Sequence, residues 1–335
     1  MNVNIDQMDH VFDTIDGFES ICNKDFKTTN AKYTQTVLRL NGCDLTAIAG
    51  QEGLGGAIKE GAKKVLEMIW NLIKGIKEFF FGSKSKVKDF QVKEIEKETK
   101  VVLETIKKQP DLEEVVKKKT DQLAPSVNKI KKAATPKTIE VRFAPYVTFM
   151  SEYFNDVGDA KIEGYVQGGI TGKVTINLDG KRDHQTLLNA FRVLSESFSR
   201  LDKKEGTEEI EAFAVIQSVE NGNKIITAAE KFRTVAKDVL QNVNESLERA
   251  TVYYEKLLKD GNEHTKAEAV LKYTQALGKA ATKMAKLVAE CDNFIIQVGS
   301  AISKINKEIV GGNSKIDNLT VPTGSLEEFE AWMNS

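Results

Sequence analysis

Proline and cysteine are scarce in this chain of 335 residues, at 5 and 3 respectively. So few prolines beside 29% charged residues argue against a turn-rich β protein and for long helices. Cys22, Cys43 and Cys291 stand at unrelated spacings, which excludes a disulfide framework and a zinc pattern and points to a reducing site of synthesis. The three histidines, His10, His184 and His264, lie far apart, each near an expected helix end, and form no cluster for metal or general-base chemistry. No HExxH or GxSxG occurs, and no GxGxxG follows a strand. The Gly-rich stretch from Gly168 to Val174 is one residue short of a phosphate loop and has Val174 where a magnesium-binding hydroxyl would stand. No enzyme activity, cofactor, metal or small-molecule substrate is therefore expected. The start of the chain, MNVNIDQMDHVFD, is acidic and lacks the basic and apolar order of a secretory signal, so synthesis in a cytoplasm is expected.

What is present is a charge gradient and a strongly two-sided helix. The net charge of −1 combines an acidic start, a basic middle and an acidic remainder. Residues 1–52 carry four basic side chains against eight acids, residues 53–137 carry twenty lysines and no arginine against twelve acids, and the rest holds −5. Within the basic part, at about 100° per residue, Ile58, Ala62, Val65, Leu66, Ile69, Leu72, Ile73, Ile76, Phe79 and Phe80 gather on one arc. Lys63, Lys64, Glu67, Asn71, Lys74 and Glu78 fall opposite, with Trp70 and Phe81 at the border. Glu67 and Lys74 limit the charge-free run to Met68–Ile73, far below the roughly 20 apolar residues of a membrane span. Such a basic amphipathic helix docks on an apolar surface. Either the protein's own core or a membrane or partner surface fits, and on the second reading Ile58, Val65, Ile69, Trp70, Ile73, Ile76, Phe79, Phe80 and Phe81 are the contact residues.

Hydrophobic spacing divides the rest. Ile5, Met8, Val11, Phe12, Ile15, Phe18 and Ile21 predict a first helix, and Thr28 and Thr29 open a second over 31–41, making a small hairpin closed by Gly42. Helices are predicted over 84–109 and 111–124, stopped by Pro110 and Pro125. Period-two alternation at Thr138–Val141 and Lys173–Leu178 predicts a small β element. Helices are predicted again over 184–201 and 207–219. Two long ones follow over 222–260 and 263–310, with heptad positions led by Ile225, Phe232 and Val239 in the first and by Leu277, Met284 and Cys291 in the second. The expected fold is mainly α: an elongated helical bundle with a long antiparallel hairpin and a small β element. Its parts are an acidic helical head (1–52), the basic amphipathic helix (53–82), a lysine-rich helical arm (83–137), the β-containing element (138–182) and a helical body (183–335). The body contains the hairpin 222–310 and a short last helix opened by the capping box Ser325–Glu328. The arm's lysines alternate with glutamates, so any DNA contact is of the non-specific, counterion-releasing kind.

The order of these parts resembles that of internal virion structural proteins of large tailed bacteriophages. The matching stretches are the acidic head ending in TQTVLRLNG, the small-residue junction AIAGQEG, and the lysine-rich helix ending in aromatics, KKVLEMIWNLIKGIKEFFFG, followed by a long helical body. The resemblance covers residues 30–85 and is one of pattern. It implies that the N-terminal piece is a capsid-targeting propeptide, and that a prohead protease cuts after a glutamate preceded by small or aliphatic residues. Here these are Ile48, Gly50 and Glu52, with Gly53 following the cut. Similar tripeptides occur at Ser218–Glu220, Ser246–Glu248 and Ser325–Glu327, and the Gly-rich setting sets the Glu52 one apart. The resemblance implies a non-enzymatic protein made in the host cytoplasm and held inside the capsid, with other virion proteins as partners and the protease as processing enzyme. The alternatives are a membrane-active helical protein of pore-forming type and a cytoplasmic coiled-coil scaffold.

Overall fold

The computed structural model describes residues 6–22, 25–43, 54–133, 135–140, 176–177, 181–182, 210–260, 264–312 and 316. Among them the chain is mainly helical. In order the elements are α1 (Asp6–Cys22), α2 (Thr29–Leu40), α3 (Leu54–Phe81), α4 (Ser83–Lys107), α5 (Leu112–Lys118), α6 (Thr120–Lys132), α7 (Pro136–Thr138), β1 (Ile176–Asn177), β2 (Lys181–Arg182), α8 (Ala212–Asp260) and α9 (His264–Val310).

α8 and α9 pack along each other in opposite directions, because Arg233 meets Asp292, Gly222 lies under Ile302 and Leu247 approaches Gly278. At about 1.5 Å per residue each is roughly 70 Å long. α3 and α4 follow one another along α8, also antiparallel to it. Trp70 bonds Glu255, Lys77 pairs with Glu248, Asp89 with Lys237, and Thr99 accepts from Asn223. The joint between them is Gly82, where a Cβ would overlap the Glu78 carbonyl, so only glycine lets the chain break and resume at once. α9 is the central element, touching α8, α4, α1, α6 and α3. From Met284 to Asp292 only Lys286 escapes full burial. A helix enclosed on so many sides needs a wider apolar surface than one heptad seam. It has one, since Ala281, Ala285, Val288, Ile295 and Ile302 are buried as well as Leu277, Leu287, Phe294 and Ile305.

At the α8–α9 turn end sits the α1–α2 hairpin. Thr28 caps α2 by accepting from the Ala31 amide at 3.1 Å, and Gly42, at φ +82°, ends it. The two helices approach so closely that a Cβ on Gly17 would overlap the Asn30 carbonyl. Thr34 donates to the Thr14 carbonyl at 3.1 Å, and Asn30 donates to Asp16 at 2.8 Å. At the opposite end α6 packs on α8 and α9, with Ile130 near Gly222 and Lys119 paired with Glu308.

Several expectations need correction. Thr207–Val219 and 222–260 do not form separate helices: from Ala212 to Asp260 the chain is one helix, and Gly222 inside it gives Ile302 room rather than a turn. Pro125 does not end a helix. The break falls at Lys119, and Pro125, itself exposed, lies inside α6 with the exposed Asp121 four residues before it. The expected strand at Thr138–Val141 is helical through residue 140. Of the expected β element, Ile176–Asn177 pairs antiparallel with Lys181–Arg182 over two residues per strand, while 141–175 and 178–180 lie outside the described residues. The helices expected at 184–201 and from Ser325, and the Gly168–Lys173 stretch, lie outside the described residues.

Candidate functional site

The amphipathic helix forms over Leu54–Phe81, and its apolar arc faces inward. Val65 and Ile69 are fully buried, as are Ile73, Ile76 and Phe80. Phe79, on the arc, and Trp70 and Phe81, at its border, are half-buried against the same core. Ile58 lies on the helix, and its side chain is outside the described set. The surface expected to meet a membrane or partner is therefore an internal one here. The physical reason is that α8, α4, α1 and α9 all pack against this helix, and burial there removes the surface from water without any outside partner. The aromatic side chains of this helix make individual contacts. The Trp70 indole donates to Glu255 at 2.5 Å, Lys88 sits 4.4 Å from the Phe79 ring centre, and Phe79 and Phe80 meet edge to face at 4.8 Å. The outer face of α3 shows the expected polar side chains, with Lys64 and Glu67 paired at 3.1 Å.

Among the described residues a buried ionic network lies elsewhere, at mid-length. Arg233 of α8 donates to Asp292 of α9 and reaches Asp89 of α4 at 2.7 Å, and Lys237 binds the same Asp89 at 2.9 Å. Arg233 and Asp292 are 4% exposed each, so this is a buried pair with an outer member at Asp89. Burial opposes the charge on Arg233, but Asp292 and Asp89 outweigh it and hold the guanidinium firmly protonated. Burial likewise opposes ionisation of Asp89, and the hydrogen bonds from Lys237 and Arg233 overcome it, lowering its pKa. Cys291, beside Asp292, donates to the Ala229 carbonyl at 3.4 Å, and burial raises its thiol well above the usual value, so it is an inert core group. Neither arginine nor aspartate was singled out by sequence. The available signal was position: Arg233 follows the core residue Phe232, and Asp292 follows the core residue Cys291. A charge next to a buried seam on each of two paired helices is where a cross-helix ion pair forms.

A depressed carboxyl stabilises the fold above its unfolded pKa, and that contribution is lost as pH falls through the lower folded value. For Asp89, with an ordinary value of 3.8, the window lies below about pH 4. Asp89→Asn should therefore flatten the loss of stability between pH 5 and pH 2, measured as urea midpoints at each pH. An unchanged slope would remove Asp89 from the acid response.

The other predicted site, Glu52 and Gly53, lies outside the described residues, between Cys43 at the end of the head and Leu54 at the start of α3. Among the described residues no group of three or more His, Cys, Asp or Glu side chains is placed to hold a metal ion. Comparison with protein-family models, with curated proteins and with solved structures finds no match to this chain.

Proposed function

We propose that this chain is a non-enzymatic structural protein of a bacteriophage virion, held inside the head and shortened by a prohead protease after Glu52. The observation that carries this reading is how the chain is divided in sequence. Residues 6–43 form a hairpin with its own internal ties, joined in sequence to α3 only through 44–53, the segment that contains Ile48, Gly50 and Glu52. A cut there severs no described helix. What remains is an elongated bundle built on the α8–α9 hairpin. Its outer faces carry alternating lysines and glutamates, paired at Lys97–Glu94, Lys100–Glu96, Lys118–Glu114 and Lys224–Glu220. Exposed pairs of this kind add little stability, and they keep a rod soluble beside other virion proteins and allow non-specific, salt-sensitive contact with DNA.

A pore-forming reading would require α3 to leave a core in which it buries Val65, Ile69, Ile73, Ile76 and Phe80. No described helix is long and apolar enough to cross a membrane. The deciding measurement is mass spectrometry of the chain from purified mature particles and of the same chain expressed alone. A chain beginning at Gly53 in particles is the expected result, and an intact Met1–Glu52 segment there overturns the proposal.

A further inference from the structure

The head hairpin does not merely lie near the body. It fills a seat with defined features. Phe18, fully buried, projects onto Gly61 of α3, where a Cβ would come within 2.9 Å of its ring. Ile15, also fully buried, projects onto Gly278 of α9, where a Cβ would lie 3.0 Å from its Cδ1. Between these two knobs Asp16 accepts from Lys279 at 2.6 Å, and the Lys279 side chain is only 9% exposed. One turn earlier on the same face of α9, Gln275 is buried with neither side-chain polar atom hydrogen-bonded. Two glycine sockets and a sunken ion pair give this seat both a shape and a charge; unpartnered buried amide oxygens also occur farther along α9, at Gln297 and Asn306, so Gln275 alone does not set this end apart. Interfaces that open carry polar contacts of this kind.

The head, for its part, is held together without the body. Gly17 lets α1 and α2 touch, and the Thr34, Asn30 and Thr28 hydrogen bonds all close within residues 14–34. Asp16 joins the two systems, accepting from Asn30 inside the hairpin and from Lys279 across the seat.

We propose that α1–α2 is a releasable cover on a helix-docking seat formed by Gly61, Gly278 and Lys279, and that cutting the 44–53 connection turns this cover into a dissociable ligand. The seat selects an Ile-Asp-x-Phe helix face: two apolar knobs for the glycines and a carboxylate between them for the lysine. While the connection is intact, a tether this short holds the head at an effective concentration on the order of millimolar. A seat of about micromolar affinity is then filled roughly a thousand to one. Once cut, the same affinity leaves the seat empty whenever the protein is diluted below its dissociation constant. The proposal rests on the reading above only for the natural cut that would release the cover, since the seat exists in the uncut chain.

The test inserts a site-specific protease site between Glu52 and Gly53 of the full-length chain and cuts the folded protein. Retention of the head fragment is followed by size-exclusion chromatography and native mass spectrometry over a dilution series, and body helicity by circular dichroism. The head is expected to stay bound at tens of micromolar, to leave on dilution with the body still helical, and to bind at least about ten-fold more weakly in Asp16→Lys. Asp16→Lys combined with Lys279→Glu should regain part of that loss. A body that loses its helical signal as the head leaves would make α1–α2 integral core and overturn the proposal. Unchanged retention in Asp16→Lys, or a loss the double variant does not lessen, would overturn Lys279 as the group that reads the head. Because the cut is engineered, an intact head segment in virus particles would sink the virion reading and leave this result standing.

Discussion

Arg233→Met is expected to destabilise the chain by about 3–5 kcal/mol, because it leaves Asp292 buried between α8 and α9 without its cation. Asp89 would retain Lys237, so the damage is concentrated on the buried partner rather than spread over the network. Removing both buried charges should cost much less. In Arg233→Met with Asp292→Leu no charge is stranded, and replacing a buried pair by apolar groups of similar volume is often close to neutral. The measurement is a double-mutant cycle in urea, with the single variants as its arms. Additive losses in the double variant would show that the two side chains do not act as a pair.

Phe294→Ala is expected to cost about 3–5 kcal/mol, and Leu287→Ala about 2–5 kcal/mol, from lost burial plus the cavity left behind. Both side chains are almost completely buried on α9, the helix packed on most sides, so the neighbouring helices have little freedom to close the gap. Phe213→Ala is the control. That ring is 70% exposed at the start of α8, and its loss should stay within about 0.5 kcal/mol. If Phe294→Ala unfolds at the same urea concentration as the control, α9 is not the centre of the fold.

Long helices were legible in the sequence wherever apolar spacing persisted over many turns. Leu277, Met284, Cys291 and Val298 mark α9 this way, and Ile225, Phe232 and Val239 mark α8. Helix ends and breaks were less legible. Gly222 and Pro125 looked like punctuation because their local preferences oppose helix, yet both sit inside helices. Tertiary contact with Ile302 and Ile130 uses the space Gly222 leaves, and Pro125 lies on an exposed side of α6. The role of the amphipathic helix was not legible either. Spacing defines an apolar face without naming what covers it, and two of the covering helices, α8 and α9, are nearly two hundred residues away in sequence. The buried ion pair escaped for a related reason, since Arg233 and Asp292 look like ordinary solvated charges until two distant helices are laid side by side.

The directions of the long helices also fix how the rod would answer a pull. α3 begins at the same end as the α8–α9 turn and α9 finishes at the other, so residues 54 and 310 stand near opposite ends. Tension between them loads the cross-links from Trp70–Glu255 to Thr99–Asn223 and Arg233–Asp292 side by side. Sliding the helices past one another must then strain many ties at once. Tension applied across the open end of α8 and α9 would instead part them one turn at a time, so the described helices are expected to resist a pull along their axis better than one across it.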